Sequence, residues 1–227
     1  HLFFFRVAGG QRQDPILGDY DLFEALDTGL VEVEAWGADD QNVSLRIRRT
    51  GTDPILITSP VGMYFEASNE KRDMVARRDG WVILDEDDWQ EWSIRTVGRQ
   101  RERDLPTSND ELTIRSPSTA PVMEAVLYQV QVGTYTVGNS PTLYPPRTHV
   151  VEQAAVWIAD ADETYRDMEP EIAGPRVPPS YATAFALVFV ERAGIDVTTR
   201  RVWDERQTIF RGLRDQGLNI WYQLQTQ

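Results

Sequence analysis

The chain has 227 residues, 41% of them hydrophobic and 10% aromatic, which is enough to bury a real core. It carries 36 Asp and Glu against 23 Lys and Arg, a net charge of −13, which excludes nucleic acid and anionic membrane surfaces as partners unless a local basic patch overrides the field. It has no cysteine, which excludes disulfides, thiolate nucleophiles and cysteine-ligated metals.

The first residues, HLFFFRV, open without a Met. The apolar run Leu2 to Phe5 is too short for a signal-peptide core, so any signal is expected to have gone already. A mature secreted chain and a trimmed one both fit that start. The stretch Leu2–Val7 is strongly β-prone; it is expected to fill an edge of its own sheet, with self-association by strand addition to a neighbour as the alternative.

Residues 30–49 carry the clearest pattern. In LVEVEAW, Val31, Val33 and Ala35 share one face, and Glu32, Glu34 and Trp36 the other. In VSLRIRR, Val43, Leu45 and Ile47 alternate with Ser44, Arg46 and Arg48. Period-two alternation marks strands covered on one face, and GADDQN between them supplies a turn, so a hairpin is predicted. Its outward rows oppose in sign, with Glu32 and Glu34 across from Arg46 and Arg48. Further short strands are predicted at 55–59, 63–67, 73–78, 81–85, 92–97 and 111–115, separated by Pro, Gly and Asp punctuation. Residues 98–110 are polar and read as a long loop. Many short strands with turn signals between them predict an antiparallel sandwich.

After Pro117 the beat changes. PVMEAVLYQVQV (121–132) has helical spacing, and 133–147 reads as a linker. Thr148 is expected to cap one helix running through Met168, with Asp160, Glu163 and Asp167 on its solvated face. Ser180 is expected to cap a helix apolar almost all round, stopped by Gly194, and Thr198 a third, ended by Gly217. The Ala pair of QAAVW (153–157) implies close approach of helix to sheet.

Chemistry is sparse. Only one of the 23 basic residues is a lysine, Lys71; an Arg-rich coding bias accounts for that. An N-terminal His can chelate copper through its amine and ring nitrogen with a second His completing the site, and His1 and His149 are the only two histidines. This pair resembles the histidine brace of lytic polysaccharide monooxygenases, which are secreted β-sandwiches; the resemblance covers those two residues and implies a copper-dependent oxidative enzyme. The HxxE at His149 and Glu152 lacks a second ligand nearby. The carboxylates of 85–88 and 160–171 lack EF-hand order. A carboxylate-based hydrolase stays open, since such pairs meet in space. No G-x-S-x-G and no phosphate loop is present. Trp36, Trp81, Trp89 and Trp92 are the candidate binding residues, able to stack on sugar rings or anchor a protein interface.

The expected fold class is thus α+β: an antiparallel β-sandwich over 1–117, then a helical subdomain over 118–227 packed on it. The expected function is a non-enzymatic extracellular or cell-envelope module that binds a protein or carbohydrate partner and needs no cofactor. It contacts no nucleic acid. No run reaches the roughly 20 apolar residues that cross a bilayer, so no membrane insertion is expected.

Overall fold

A computed structural model describes residues 18–68, 70–132, 148–173 and 177–215. The described chain enters through a short strand, β1 (Asp19–Asp21), and a six-residue helix, α1 (Leu22–Asp27), whose start is held by Asp21: its carboxylate accepts the Glu24 N–H at 2.8 Å. The predicted hairpin follows as β2 (Val31–Gly37) and β3 (Asn42–Arg49). Its register sets Glu32 opposite Arg48 and Glu34 opposite Arg46, so the outward rows of opposite sign meet as expected. Both pairs close to 2.5 Å and, being exposed, each contributes roughly 0.2–1 kcal/mol. The inward row, Val31, Ala35, Val43, Leu45 and Ile47, is buried.

Six more strands complete the front half: β4 (Ile55–Ser59), β5 (Tyr64–Glu66), β6 (Met74–Ala76), β7 (Gly80–Leu84), β8 (Gln90–Gly98) and β9 (Thr113–Arg115). They form a three-stranded sheet in the order β1-β4-β7 and a six-stranded sheet in the order β2-β3-β8-β6-β5-β9. The larger sheet is antiparallel throughout, while β1 lies parallel to β4. Ile55, Ile57 and Leu84 of the smaller sheet share one core with Leu45, Ile47, Phe65 and Met74 of the larger.

The larger sheet comes close to closing on itself. Trp36 of β2 bridges Glu111, the Leu112 N–H donates to the Ala35 carbonyl at 2.8 Å, and the Gly37 N–H donates to the Asp110 carbonyl at 3.3 Å. Twist accumulated over six short strands brings the lead-in to β9 back to β2, giving a barrel-like sheet. Gly37 is required at that seam: a Cβ there would sit 2.3 Å from the Pro106 carbonyl carbon and oxygen. Gly37→Ala is therefore expected to cost about 1–3 kcal/mol of unfolding free energy through forced backbone displacement. Chemical denaturation measures it, and an unchanged midpoint would mean that residues 106–107 yield freely.

The back half is helical, which makes the chain α+β. A 3-10 turn (Pro117–Thr119) leads into α2 (Pro121–Val132), on the predicted residues. The helix expected from Thr148 through Met168 is instead interrupted. It runs as α3 (Thr148–Val156) and a π-helical turn (Trp157–Ala161), then halts at Asp162, which adopts a left-handed φ of 53°. Thr164 restarts the chain as α4 (Tyr165–Ile172) by accepting the Asp167 N–H. Apolar spacing could not show the break, because the i, i+3, i+4 rhythm survives across a π turn that keeps Trp157 and Ile158 buried.

The long apolar helix is α5 (Pro179–Arg192); Pro178 precedes it and Pro179 is its first residue, so Ser180 is not its cap but lies inside it, buried. Gly194, at φ 86°, ends it as expected. Thr198 is not a helix cap either. Asp196 caps a 3-10 turn (Val197–Thr199), accepting the Thr198 N–H at 2.9 Å, and two helices follow, α6 (Arg201–Asp204) and α7 (Arg206–Asp215). The linker expected over 133–147, the stop at Gly217 and the terminal strand Leu2–Val7 fall outside the described residues.

Between sheet and helices lies an apolar seam of Val61, Tyr64, Val75 and Val97 against Met123, Leu127 and Val156. The Gln153 amide extends it into the backbone: Gln153 accepts the Gly98 N–H at 2.9 Å and donates to the Gly98 carbonyl at 2.6 Å, as a neighbouring strand would. Ala154 and Ala155 beside it are fully buried.

Candidate functional site

The four candidate tryptophans separate into three environments. Trp89 ends the turn after β7 and is already engaged: the Arg46 and Arg48 guanidiniums lie 4.9 and 4.8 Å from its ring. The acidic turn before it is exposed, and its Asp87 accepts from Arg49 at 2.7 Å. Trp36 is half-buried where the barrel-like sheet closes, in a cavity of about 390 Å³ that Glu34, Glu111, Ser108 and Asn109 also line.

Trp81 and Trp92 come together. The chain passes from β7 in the smaller sheet to β8 in the larger. Between these strands Trp81, Trp92, Ser93, Arg95, Arg78 and Asp79 line a cleft of about 210 Å³. Trp92 is half-buried and packs against the sheet core, lying 3.4 Å from where a Cβ on Gly80 would be. Trp81 is 67% exposed, the most open of the large hydrophobic side chains among the described residues. Alternation explains this pair: β8 turns Trp92 and Ile94 inward and presents Glu91, Ser93 and Arg95 outward.

The commitments of the charged lining follow from its neighbours. Asp79 is fully engaged, accepting the Val61 N–H at 2.8 Å and a Gln131 amide N–H at 2.6 Å. Arg78 reaches away to Glu152, with Nη2 2.5 Å from Oε1. Arg95 is exposed and forms no ion pair among the described residues, although its charge helps to lower the Glu152 pKa. Every other arginine inside a strand forms one: Arg46, Arg48, Arg49 and Arg115 pair with Glu34, Glu32, Asp87 and Glu66. Sequence reasoning passed over Ser93 and Arg95. Their place in the outward row of a predicted strand beside Trp92 was the available signal.

His149 lies on the first turn of α3, half-buried, with Nε2 3.1 Å from the Asp40 carbonyl oxygen. A carbonyl only accepts, so Nε2 carries the proton and is not a free metal donor in this arrangement. His1, the other half of the expected copper brace, falls outside the described residues. No group of three or more metal-ligating side chains occurs among the described residues. Burial, then the nearby Arg77 charge, depresses the His149 pKa below 6.5, with Asp40 and Asp39 opposing. A depressed folded pKa gives stability that is full above 6.5 and lost as pH falls through the folded value. Unfolding midpoints of the wild type should therefore fall as pH drops from neutrality through 6.5, while His149→Gln stays flatter across the same window. Parallel pH profiles would contradict this.

Within the acidic stretch 160–171, Asp160 and Glu163 leave the expected solvated face for arginine partners, while the Asp167 side chain stays 38% exposed and Glu169 and Glu171 are exposed. Asp160 accepts from Arg99 Nε at 2.7 Å, and Glu163, whose side chain is only 12% exposed, sits 3.3 Å from Arg101. Glu171 takes both Arg101 and Arg72. The π turn and the kink at Asp162 reorient this stretch so that Asp160 and Glu163 meet arginines following β8. The Tyr64 hydroxyl donates to Asp73 at 2.6 Å and accepts from Arg99 at 2.9 Å, and burial followed by Asp73 pushes its pKa up to about 12. Deeper in the seam, Glu152 is fully buried and meets Arg77 at 2.8 Å. These carboxylates join sheet to helices and are spent in doing so.

No protein family, no curated protein and no solved structure matches this chain.

Proposed function

We propose that the chain is a non-enzymatic binding module of the extracellular space or cell envelope, recognising a protein or carbohydrate partner. In this reading the β-sandwich of 1–117 presents the Trp81 cleft, and the helical subdomain of 118–227 braces it. One observation carries the proposal: an indole 67% exposed at the mouth of a cleft whose rear is a second tryptophan. Exposing so large an apolar face to water is unfavourable unless a partner covers it, and tryptophan is the side chain most enriched at binding hot spots. The packing of Trp92 against the core gives the cleft a fixed wall, which lowers the ordering cost of binding.

The test uses the wild type and Trp81→Ala in affinity gels cast with a panel of polysaccharides, together with crosslinking from position 93 to envelope proteins. The wild type should be retarded or crosslinked, and the variant should lose at least tenfold in affinity with an unchanged unfolding midpoint. A wild type that engages nothing, or a variant that behaves like it, overturns the proposal.

A second reading rests on the cavity beside Trp36. Glu34 and Glu111 both line it, an arrangement open to carboxylate-based hydrolysis. The pairing of Glu34 with Arg46 favours the binding reading. Glycoside hydrolysis abolished by Glu111→Gln would reverse that preference.

A further inference from the structure

We infer that the Trp81 cleft takes an acidic saccharide, one sugar ring lying on the indole with its carboxylate on the Arg95 guanidinium. This deepens the binding-module reading and rests on it.

The size of the cleft is the first argument. At about 210 Å³ it is smaller than the pockets that enclose cofactors or drug-sized ligands, and it suits a single ring with the rest of the ligand outside. Its chemistry is the second. A pyranose has a C–H face that packs on an aromatic ring and a rim of hydroxyls that need partners. Trp81 offers the ring, and Ser93 is exposed with no side-chain hydrogen bond among the described residues.

The third argument is what remains uncommitted. Asp79 and Arg78 line the cleft but are engaged elsewhere. Arg95 acts on Glu152 only through its charge and forms no ion pair among the described residues, so its guanidinium fork is the one in the cleft open to a ligand, in a chain where 36 carboxylates compete for 23 basic groups and every other strand arginine is paired. A guanidinium fork matches a carboxylate in two parallel hydrogen bonds, and such charge-assisted bonds are about twice as strong as neutral ones. The net charge of −13 repels anions at long range, but salt screens that field beyond roughly 8 Å, which leaves the contact with Arg95 to decide. The outward row of β8 argues for a saccharide over a protein. Glu91, Ser93 and Arg95 make the flank of the cleft polar, whereas a protein hot spot needs a wider apolar surround to exclude water.

The probes are oligogalacturonate, oligoglucuronate and oligomannuronate, with the methyl ester of each as its neutral twin, titrated calorimetrically into the wild type, Trp81→Ala, Arg95→Gln and Arg95→Lys. At least one acid oligomer should bind the wild type at least tenfold more tightly than its ester. Arg95→Gln should abolish that difference, Arg95→Lys should keep part of it, and Trp81→Ala should weaken acid and ester alike. Equal binding of acid and ester, or an acid affinity unchanged in Arg95→Gln, overturns the carboxylate inference. Trp81-dependent binding of the ester would then leave the module reading intact. If none of the oligomers binds, the saccharide inference fails, and the module reading is judged separately by crosslinking from position 93.

Discussion

Glu152→Ala should lower the unfolding free energy by about 3–5 kcal/mol, the usual cost of removing one member of a buried ion pair. Glu152 has no exposed surface and is the counter-ion to Arg77, itself buried, and to Arg78, which is a quarter exposed at its side chain. The contact with Arg78 is close but off the angle of a hydrogen bond, so Arg77 is the principal donor. Burial pushes the Glu152 pKa above 4.5 even though Arg77 and Arg78 pull it down, so desolvation outweighs the attraction. The pair is therefore a weak net source of stability whose halves cannot be separated cheaply. Glu152→Met combined with Arg77→Met should recover most of the loss, because the unpaired buried charge goes with its partner. Linkage gives a second readout. A carboxyl whose folded pKa is raised contributes stability that is full below 4.5 and lost as pH rises through the folded value. The wild type should thus gain on Glu152→Gln as pH is lowered from neutrality toward 4.5. Denaturant titrations across that range check both points. A loss below 1 kcal/mol for Glu152→Ala would mean that water reaches Arg77 on truncation.

Trp157→Ala is expected to be as damaging, about 3–5 kcal/mol, since truncating a buried tryptophan removes its transfer energy and leaves a cavity. Trp157 is 1% exposed within the helical core and opens the π turn. The Arg72 guanidinium lies 5.5 Å from the centre of its ring, so the indole is covered from the sheet side as well. Its Nε1 is buried with no hydrogen-bond partner among the described residues. Trp157→Phe should therefore cost far less than alanine: it keeps most of the volume and removes a polar hydrogen that burial leaves unsatisfied. Thermal and chemical unfolding of both variants separate the two contributions. Equal losses would assign the effect to the N–H position and not to ring volume.

The contrast between these two residues shows how much of the molecule could be read in advance. Trp157 stands one position before Ile158 of the apolar stripe expected for that helix, Val151, Ala154, Ala155, Ile158, Ala161, Tyr165 and Met168; the stripe did not include it, but its apolar neighbours were a local sign of burial. Glu152 falls in the same stretch, and nothing local marks it as buried. Its partners are 74 and 75 positions away and come from the end of β6, so only the packed fold reveals that its charge faces the sheet. The same applies to Asp160 and Glu163. They read as a solvated face because charges on a helix usually are, and they become partly buried ion pairs because arginines after β8 arrive opposite them. At the candidate site the tryptophans were visible as residue types, but their separation was not. Trp89 is covered by arginines from β3, and Trp81 is left 67% exposed beside the cleft between β7 and β8.

By itself the sequence determined the two-residue beat of the front half, the three-to-four-residue beat of the back half, the change between them near Pro117, and the opposition of the Glu32 and Glu34 row to the Arg46 and Arg48 row. These depend on neighbours within one strand, one helix or one hairpin, where local geometry dictates which side chains share a face. Tertiary structure alone decided the near-closure of the larger sheet at Gly37, the break in the helix after Trp157, and which strand arginine forms no ion pair among the described residues. Those outcomes depend on groups distant in the chain meeting across a seam, and the free energy of a buried or unpaired charge is set by what surrounds it.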